Sequence, residues 1–233
     1  SASETAMTTV AIVGGFTAFF AASMALVVFD IKRVLAYSTV SQLGYMMLAL
    51  GVGAPSVAIF HLFTHAFFKS LLFLGAGSVN HATGTFDMRL MGGLRKRMPW
   101  TYWTFLVGAL SLAGLFPLAG YWSKEEILLS VWTGAGLAEQ IIFGMSVVGV
   151  FMTAFYIFRV FIMTFHGEYR GGAEAEHLSR SEEPVLIGAT SPVVVVESHG
   201  HLRESSWIMV GPMVVLALAA VVGGYAVNPL TNL

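Results

Sequence analysis

The sequence predicts an all-α integral membrane protein with about six transmembrane helices, one of them discontinuous, and three observations carry that prediction. Of the 233 residues, 56% are hydrophobic and only 11% are charged, against roughly a quarter charged in soluble domains, and the mean hydropathy is +0.76. Apolar runs of about 20 residues, enough to cross the hydrocarbon core of a bilayer, recur along the whole chain. The basic residues gather in alternate connections between these runs, as expected when one side of a membrane retains positive charge.

The first span is read over 7–29, an uncharged run with small residues (Gly14, Gly15, Ala18, Ala21, Ala22) that let a neighbouring helix approach closely. A short link, Asp30 to Arg33, leads to the second span, 34–52. Its first half carries Ser38, Thr39, Ser41 and Gln42, groups that bond between helices or hold water. Gly53, Ala54 and Pro55 turn the chain into the third span, 56–79, and a polar segment from Asn80 to Pro99 follows. Residues 100–132 are too long for one straight crossing and are interrupted by Gly114, Pro117 and Gly120. Proline removes a backbone donor and clashes with the preceding turn, so this stretch is read as one broken helix. The fifth span is 140–165. Residues 166–206 form a polar loop on the cytoplasmic side, with an apolar patch from Pro184 to Val196 that the pattern does not place, and the sixth span is 207–227. The membrane domain of five spans thus covers 1–165.

With the first span running inward, Lys32, Arg33, Arg89, Arg95, Lys96, Arg97, Arg170, Arg180 and Arg203 all fall on the cytoplasmic side. Only Lys69, Lys124 and Arg159 remain inside helices. Net charge is −1 and there is no cysteine. Nothing in that balance suggests nucleic acid, and disulfides, iron–sulfur clusters and Cys-ligated zinc are excluded. Any redox chemistry is therefore expected on a partner. The chain lacks an initiator Met and a signal-peptide n-region, and is read as a fragment or a processed piece.

Within the third span, His61, His65 and Lys69 stand at i, i+4 and i+8. They share one helical face in steps of roughly 6 Å. Titratable groups inside a membrane helix are costly, face a bundle interior or aqueous cavity, and mark proton or ion paths. Lys69 lies roughly 20 Å along its span by helix rise, too deep to reach either surface with ease. The bland reading is that each group only bonds a neighbouring helix. The run HLFTH lacks the Glu of a zinc-protease H-E-x-x-H, and two His on one face do not suit the axial positions of a haem.

Lys124 follows directly on the helix break. Buried there, it is a switchable charge beside unwound backbone, the layout of ion sites in transporters. The alternative is an ordinary helix start at the surface, with Ser123 and Glu126 forming an S-x-x-E capping box. Lys32 is a weaker signal, since basic residues are expected at a cytoplasmic helix start.

Four stretches, DIKRVLAYSTVSQLGYMMLALG (30–51), IFHLFTHAFFKSLLFLGAGSV (59–79), MGGLRKRMP (91–99) and GYWSKEEIL (120–128), closely resemble the antiporter-like L subunit of respiratory complex I, the bacterial NADH-quinone oxidoreductase, in the family's order. The resemblance runs from the first span to about Gly167. It implies an antiporter-like repeat in which Lys69 is the central lysine of a proton path, His61 and His65 its hydrated neighbours, Lys32 a linking lysine, and Lys124 with Glu125 the exit group. Ser38, Thr39, Gln42, Thr64 and Ser123 are the supporting polar residues. The upstream inverted repeat and the long lateral helix of the family are not found in these 233 residues, so the expectation is a C-terminal half channel.

By that resemblance the protein is a proton-translocating subunit in a bacterial plasma membrane. It holds no cofactor or metal itself; NADH, FMN, iron–sulfur clusters and quinone belong to partner subunits of the complex. A cation/proton antiporter subunit, and a structural membrane subunit without its own path, are the alternatives.

Overall fold

The computed structural model describes residues 3–132, 137–172 and 202–227. It is helical throughout, with five helices long and apolar enough to cross a membrane and a sixth crossing built from two shorter ones. The patch from Pro184 to Val196, Arg180, and most of the loop read over 166–206 lie outside the described residues.

Helix α1 (Glu4–Val27) begins where the Ser3 hydroxyl accepts the Ala6 amide at 3.3 Å. Helix α2 (Ile31–Gly51) begins where Asp30 accepts the Arg33 amide at 2.8 Å. Lys32 and Arg33, expected in a link, therefore belong to the first turn of α2. The two helices meet along a seam of small residues: a Cβ on Gly44 would lie 2.5 Å from the Ala18 nitrogen, and one on Gly51 2.3 Å from the Ala11 nitrogen. Such contact lets dispersion and weak polar terms act at close range, the usual basis of helix association in lipid.

Helix α3 (Pro55–Thr83) runs four residues past its expected end. Asn80 and His81 look like loop residues in the sequence, but the stop is Gly84 in the left-handed conformation (φ 72°), whose amide bonds the Asn80 carbonyl at 2.7 Å. The discontinuous span consists of α4 (Pro99–Ala113) and α5 (Ala119–Trp132). At about 1.5 Å per residue, neither piece reaches across a core of about 30 Å. Gly114, with φ 79°, ends α4. Helix α6 (Leu137–Phe165) and helix α7 (Trp207–Val227, with Pro212 inside) complete the bundle.

Contacts between successive turns place the basic connections at one end. The Ile31 amide bonds the Phe86 carbonyl and the Met88 amide the Phe29 carbonyl, each at 3.0 Å. Arg170 donates to the carbonyls of Met91 (2.5 Å), Met163 (2.6 Å) and Met88 (3.1 Å). Glu204, just before α7, accepts from the Trp100 amide at 2.8 Å and from the Thr101 hydroxyl at 2.5 Å, capping α4 from a distance in sequence. Arg33, Arg89, Arg95, Lys96, Arg97 and Arg203 are all exposed at this basic end.

Inside, Leu35, Phe68, Leu72, Phe105, Tyr156 and Phe161 pack α2, α3, α4 and α6 together. The outward faces are apolar too, with Phe16, Ile59, Phe151, Phe155 and Leu218 each more than half exposed. An apolar exterior of this extent suits a hydrocarbon surround rather than water.

Candidate functional site

Between α2, α3, α4 and α5 the interior is polar. His61, Thr64, His65 and Lys69 from α3, Ser38 and Gln42 from α2, and Ser123 and Lys124 from α5 are all buried. The periodicity of α3 explains why: i, i+4 and i+8 fall on the face turned to α2 and α5, while Ile59, Leu62 and Phe63 on the opposite face are exposed.

His61 joins three helices. Its Nδ1 lies 2.9 Å from the Ser123 hydroxyl on α5 and its Nε2 lies 3.0 Å from Oε1 of Gln42 on α2. Thr64 donates to Ser123 at 2.9 Å. With the Gln42 oxygen as acceptor, the ring proton sits on Nε2 and Nδ1 accepts from Ser123. Both ring nitrogens are thus occupied, leaving none free for a metal. The His65 ring follows one turn along α3, with centroids 6.1 Å apart, and its Nε2 has no hydrogen-bond partner among the described residues.

Lys69 is 5% exposed and does not reach a surface. Its ammonium donates to the Leu35 carbonyl at 2.8 Å and to the Ser38 hydroxyl, and stands 5.7 Å from the centre of the Phe73 ring. The Thr39 hydroxyl shares the Leu35 carbonyl at 2.9 Å. The Tyr156 hydroxyl, from α6, lies beside Ser38; nothing in the sequence singled it out, since Tyr in a membrane helix carries no pattern of its own.

Lys124 donates to the Leu112 carbonyl, in the last turn of α4. The break explains this contact. Carbonyls in the final turn of a helix lack intrahelical partners, and the end of α4 presents the negative pole of its dipole. The cation of α5 is seated on that pole. Close packing at the break requires glycine, because a Cβ on Gly120 would lie 1.8 Å from the Ser111 carbonyl oxygen.

The capping-box alternative is not realised. Ser123 lies in the second turn of α5, and its hydroxyl serves His61 and Thr64 rather than a helix start. Two residues fall outside the buried cluster. Lys32 is exposed at the basic end, with its ammonium 5.5 Å from the Phe86 ring centre. Glu125 is exposed on the outside of α5 beside Tyr121, whereas Glu126 is buried.

A row of groups that bind and release protons therefore runs from Lys69 through His65 and His61 to Ser123, with Lys124 beside it at the helix break. Each step is a turn of helix or a single hydrogen bond. His65 Nε2 and Gln42 Nε2 are buried without a hydrogen-bond partner among the described residues, and in protein interiors such atoms are commonly matched by buried water.

Residues 1–156 match the family model described as NADH:quinone oxidoreductase/Mrp antiporter, TM. The chain is 45% identical to the NAD(P)H-quinone oxidoreductase subunit 5, organellar chromatophore 1, of Paulinella chromatophora, over 96% of this chain and 34% of that protein. It is 46% identical to the NADH-quinone oxidoreductase subunit L of Rickettsia bellii, over 76% of this chain and 27% of that protein. The likeness to the first of these thus extends beyond Gly167, the end expected from the sequence. The chain spans about a third of the length of the curated relatives it matches. Among solved structures, the Mrp complex of Dietzia sp. shares the fold, with a TM-score of 0.74 at 22% identity over 94% of this chain and 44% of that one. A chain of the archaeal membrane-bound sulfane sulfur reductase superposes with a TM-score of 0.71 at 27% identity, over 92% of this chain and 31% of that one.

Proposed function

This chain belongs to the NADH:quinone oxidoreductase/Mrp antiporter transmembrane family, and from that premise we propose that it forms the C-terminal half of a proton channel in an L-type subunit of a NAD(P)H:quinone oxidoreductase. The observation that carries this reading is the buried row of Lys69, His65, His61 and Ser123, with Lys124 at the helix break.

Lys69 is the central proton store, held between α2 and α3 by Leu35 and Ser38. When the electrostatic field at Lys69 changes, its proton moves by His65 and His61 toward the broken helix. Lys124 holds a proton at the end of α4 and releases it when a neighbouring charge changes. NADH, flavin, iron–sulfur and quinone chemistry is assigned to partner subunits, as a chain without cysteine cannot ligate a cluster by thiolate. The bacterial plasma membrane is its proposed location, with the basic end facing the cytoplasm.

Lys124→Ala in the intact complex, reconstituted in vesicles, tests the assignment: proton uptake driven by NADH should fall, and undiminished pumping overturns it. A stand-alone cation/proton antiporter would instead exchange Na⁺ for H⁺ in the same vesicles without NADH. The higher identity to oxidoreductase subunits favours the first reading.

A further inference from the structure

Glu126 is the buried carboxylate that this relay leaves unused. Its residue is 4% exposed, and neither carboxylate oxygen is solvent-accessible or has a hydrogen-bond partner among the described residues. An isolated carboxylate is costly in a membrane interior, so a residue of this kind needs a reason to be there. Capping is not that reason, since α5 begins seven residues earlier at Ala119. Pairing is not the reason either. Lys124 turns to the Leu112 carbonyl, and no cation contacts the Glu126 carboxylate among the described residues.

Its position supplies one. Glu126 is i+3 from Ser123 on α5, which sets their Cβ atoms about 5–6 Å apart on one side of the helix. Ser123 is bonded to His61 and Thr64, so Glu126 is the next polar group along that side in the direction away from the basic end. Trp132, the last residue of α5, lies only about 9 Å further along the axis by helix rise. Glu125, next to it in sequence, is on the outside of the bundle.

We propose that Glu126 is the proton carrier that follows the His61–Ser123–Thr64 cluster on the way out. The inference rests on the relay reading above. In the step itself, the Ser123 hydroxyl turns to the Ala119 carbonyl, 3.2 Å away. A proton from the His65 side adds to the freed His61 Nδ1 through water, giving the imidazolium. Nδ1 then passes that proton to the Ser123 oxygen as the serine's own hydroxyl proton passes, through one water, to a carboxylate oxygen of Glu126. The resulting carboxylic acid then loses that proton to the aqueous phase at the far end. The ring returns to its neutral form with the proton on Nε2, still donated to Gln42, and no group changes oxidation state.

The test compares wild type, Glu126→Gln, Glu126→Asp and Lys69→Met in the intact complex in proteoliposomes. Protons translocated per NADH oxidised are measured together with infrared difference spectra of the protonated-carboxyl region in H₂O and D₂O. We expect Glu126→Gln to translocate as few protons per NADH as Lys69→Met, Glu126→Asp to recover most of the wild-type ratio, and Glu126→Gln to lack a D₂O-sensitive carboxyl band present in wild type. A wild-type ratio in Glu126→Gln with a lowered one in Lys69→Met overturns the inference and leaves the relay standing. Wild-type ratios in both remove the relay reading as well. A lowered ratio in Glu126→Gln with the carboxyl band intact assigns the loss to another group, and also overturns it.

Discussion

His61 and Ser123 lie 2.9 Å apart across the interface between α3 and the second half of the broken helix. This bond links the histidine–lysine face of α3 to α5, which carries Lys124, and Thr64 reinforces it from the same turn of α3. Ser123→Ala leaves the His61 Nδ1 and the Thr64 hydroxyl without their shared partner. The expected cost is about 1–3 kcal/mol for buried polar groups left unmatched, read as a lower melting temperature, together with a several-fold fall in protons moved per NADH. A proton ratio equal to wild type would show that the relay does not pass through Ser123.

On the other side of the ring, Gln42 sets which nitrogen carries the proton. Its Oε1 accepts from His61 Nε2 at 3.0 Å, and a rotated amide would present its NH₂ instead, driving the proton to Nδ1. A glutamine can serve both tautomers without moving its backbone. Gln42→Glu has only acceptors when ionised, so it should hold the proton on Nε2 and slow transfer while α2 and α3 remain in place. ¹⁵N chemical shifts of labelled histidine in the purified complex would read the tautomer; the variant should show the Nε2–H form, and wild-type pumping by a variant held in that form would contradict the proposed role of Gln42.

Lys69→Met separates a proton path from a structural brace. Methionine fills much of the same volume but cannot donate to the Leu35 carbonyl or to Ser38. If Lys69 stores the moving proton, pumping per assembled complex falls towards zero while assembly is little changed. If the lysine only locks α2 to α3, the melting temperature or yield falls and each assembled complex pumps normally. Counting protons against NADH oxidised in purified complex distinguishes the two.

Much of this site can be read from residues alone, because one rule governs it. On a helix, residues four apart share a face, so His61, His65 and Lys69 had to be buried together or exposed together, and in an apolar helix burial follows. The break at Gly114 to Gly120 is equally legible, since glycine and proline act locally. What the sequence does not contain is helical phase across a break. Glu125 and Glu126 are neighbours about 100° apart around α5, and only packing against the rest of the bundle decides that the second is inside. Lys32 is a similar case: the motif marks it, but its side chain ends over Phe86 at the basic end. The seat of Lys124 on the Leu112 carbonyl depends on where α4 stops, which is a matter of one or two residues. The extra turn of α3 was hidden because Asn80 and His81 are polar, yet a helix leaving the apolar layer needs no apolar residues in its last turn.

The closest packing in the site yields the last prediction. Gly120 places its Cα where any side chain would strike the Ser111 carbonyl, with a Cβ only 1.8 Å from that oxygen, and Gly120's own amide bonds the Ser111 hydroxyl at 3.2 Å. Gly120→Ala must push α5 away from α4, at an overpacking cost of about 1–3 kcal/mol or more, and so draw Lys124 off the Leu112 carbonyl. Arg159→Met is the comparison. Arg159 donates to the carbonyls of Ala25, Leu26 and Val28 at the end of α1, where carbonyls have no intrahelical partner, so its loss should also cost about 1–3 kcal/mol. Both variants should therefore melt earlier. Gly120→Ala should also lose protons per NADH, because it moves the cation of the relay, whereas Arg159→Met should keep the wild-type ratio, because it loosens a helix end remote from Ser123 and Lys124. Equal ratios in the two variants would mean that pumping follows stability alone and that the contact between Lys124 and the end of α4 has no part in it.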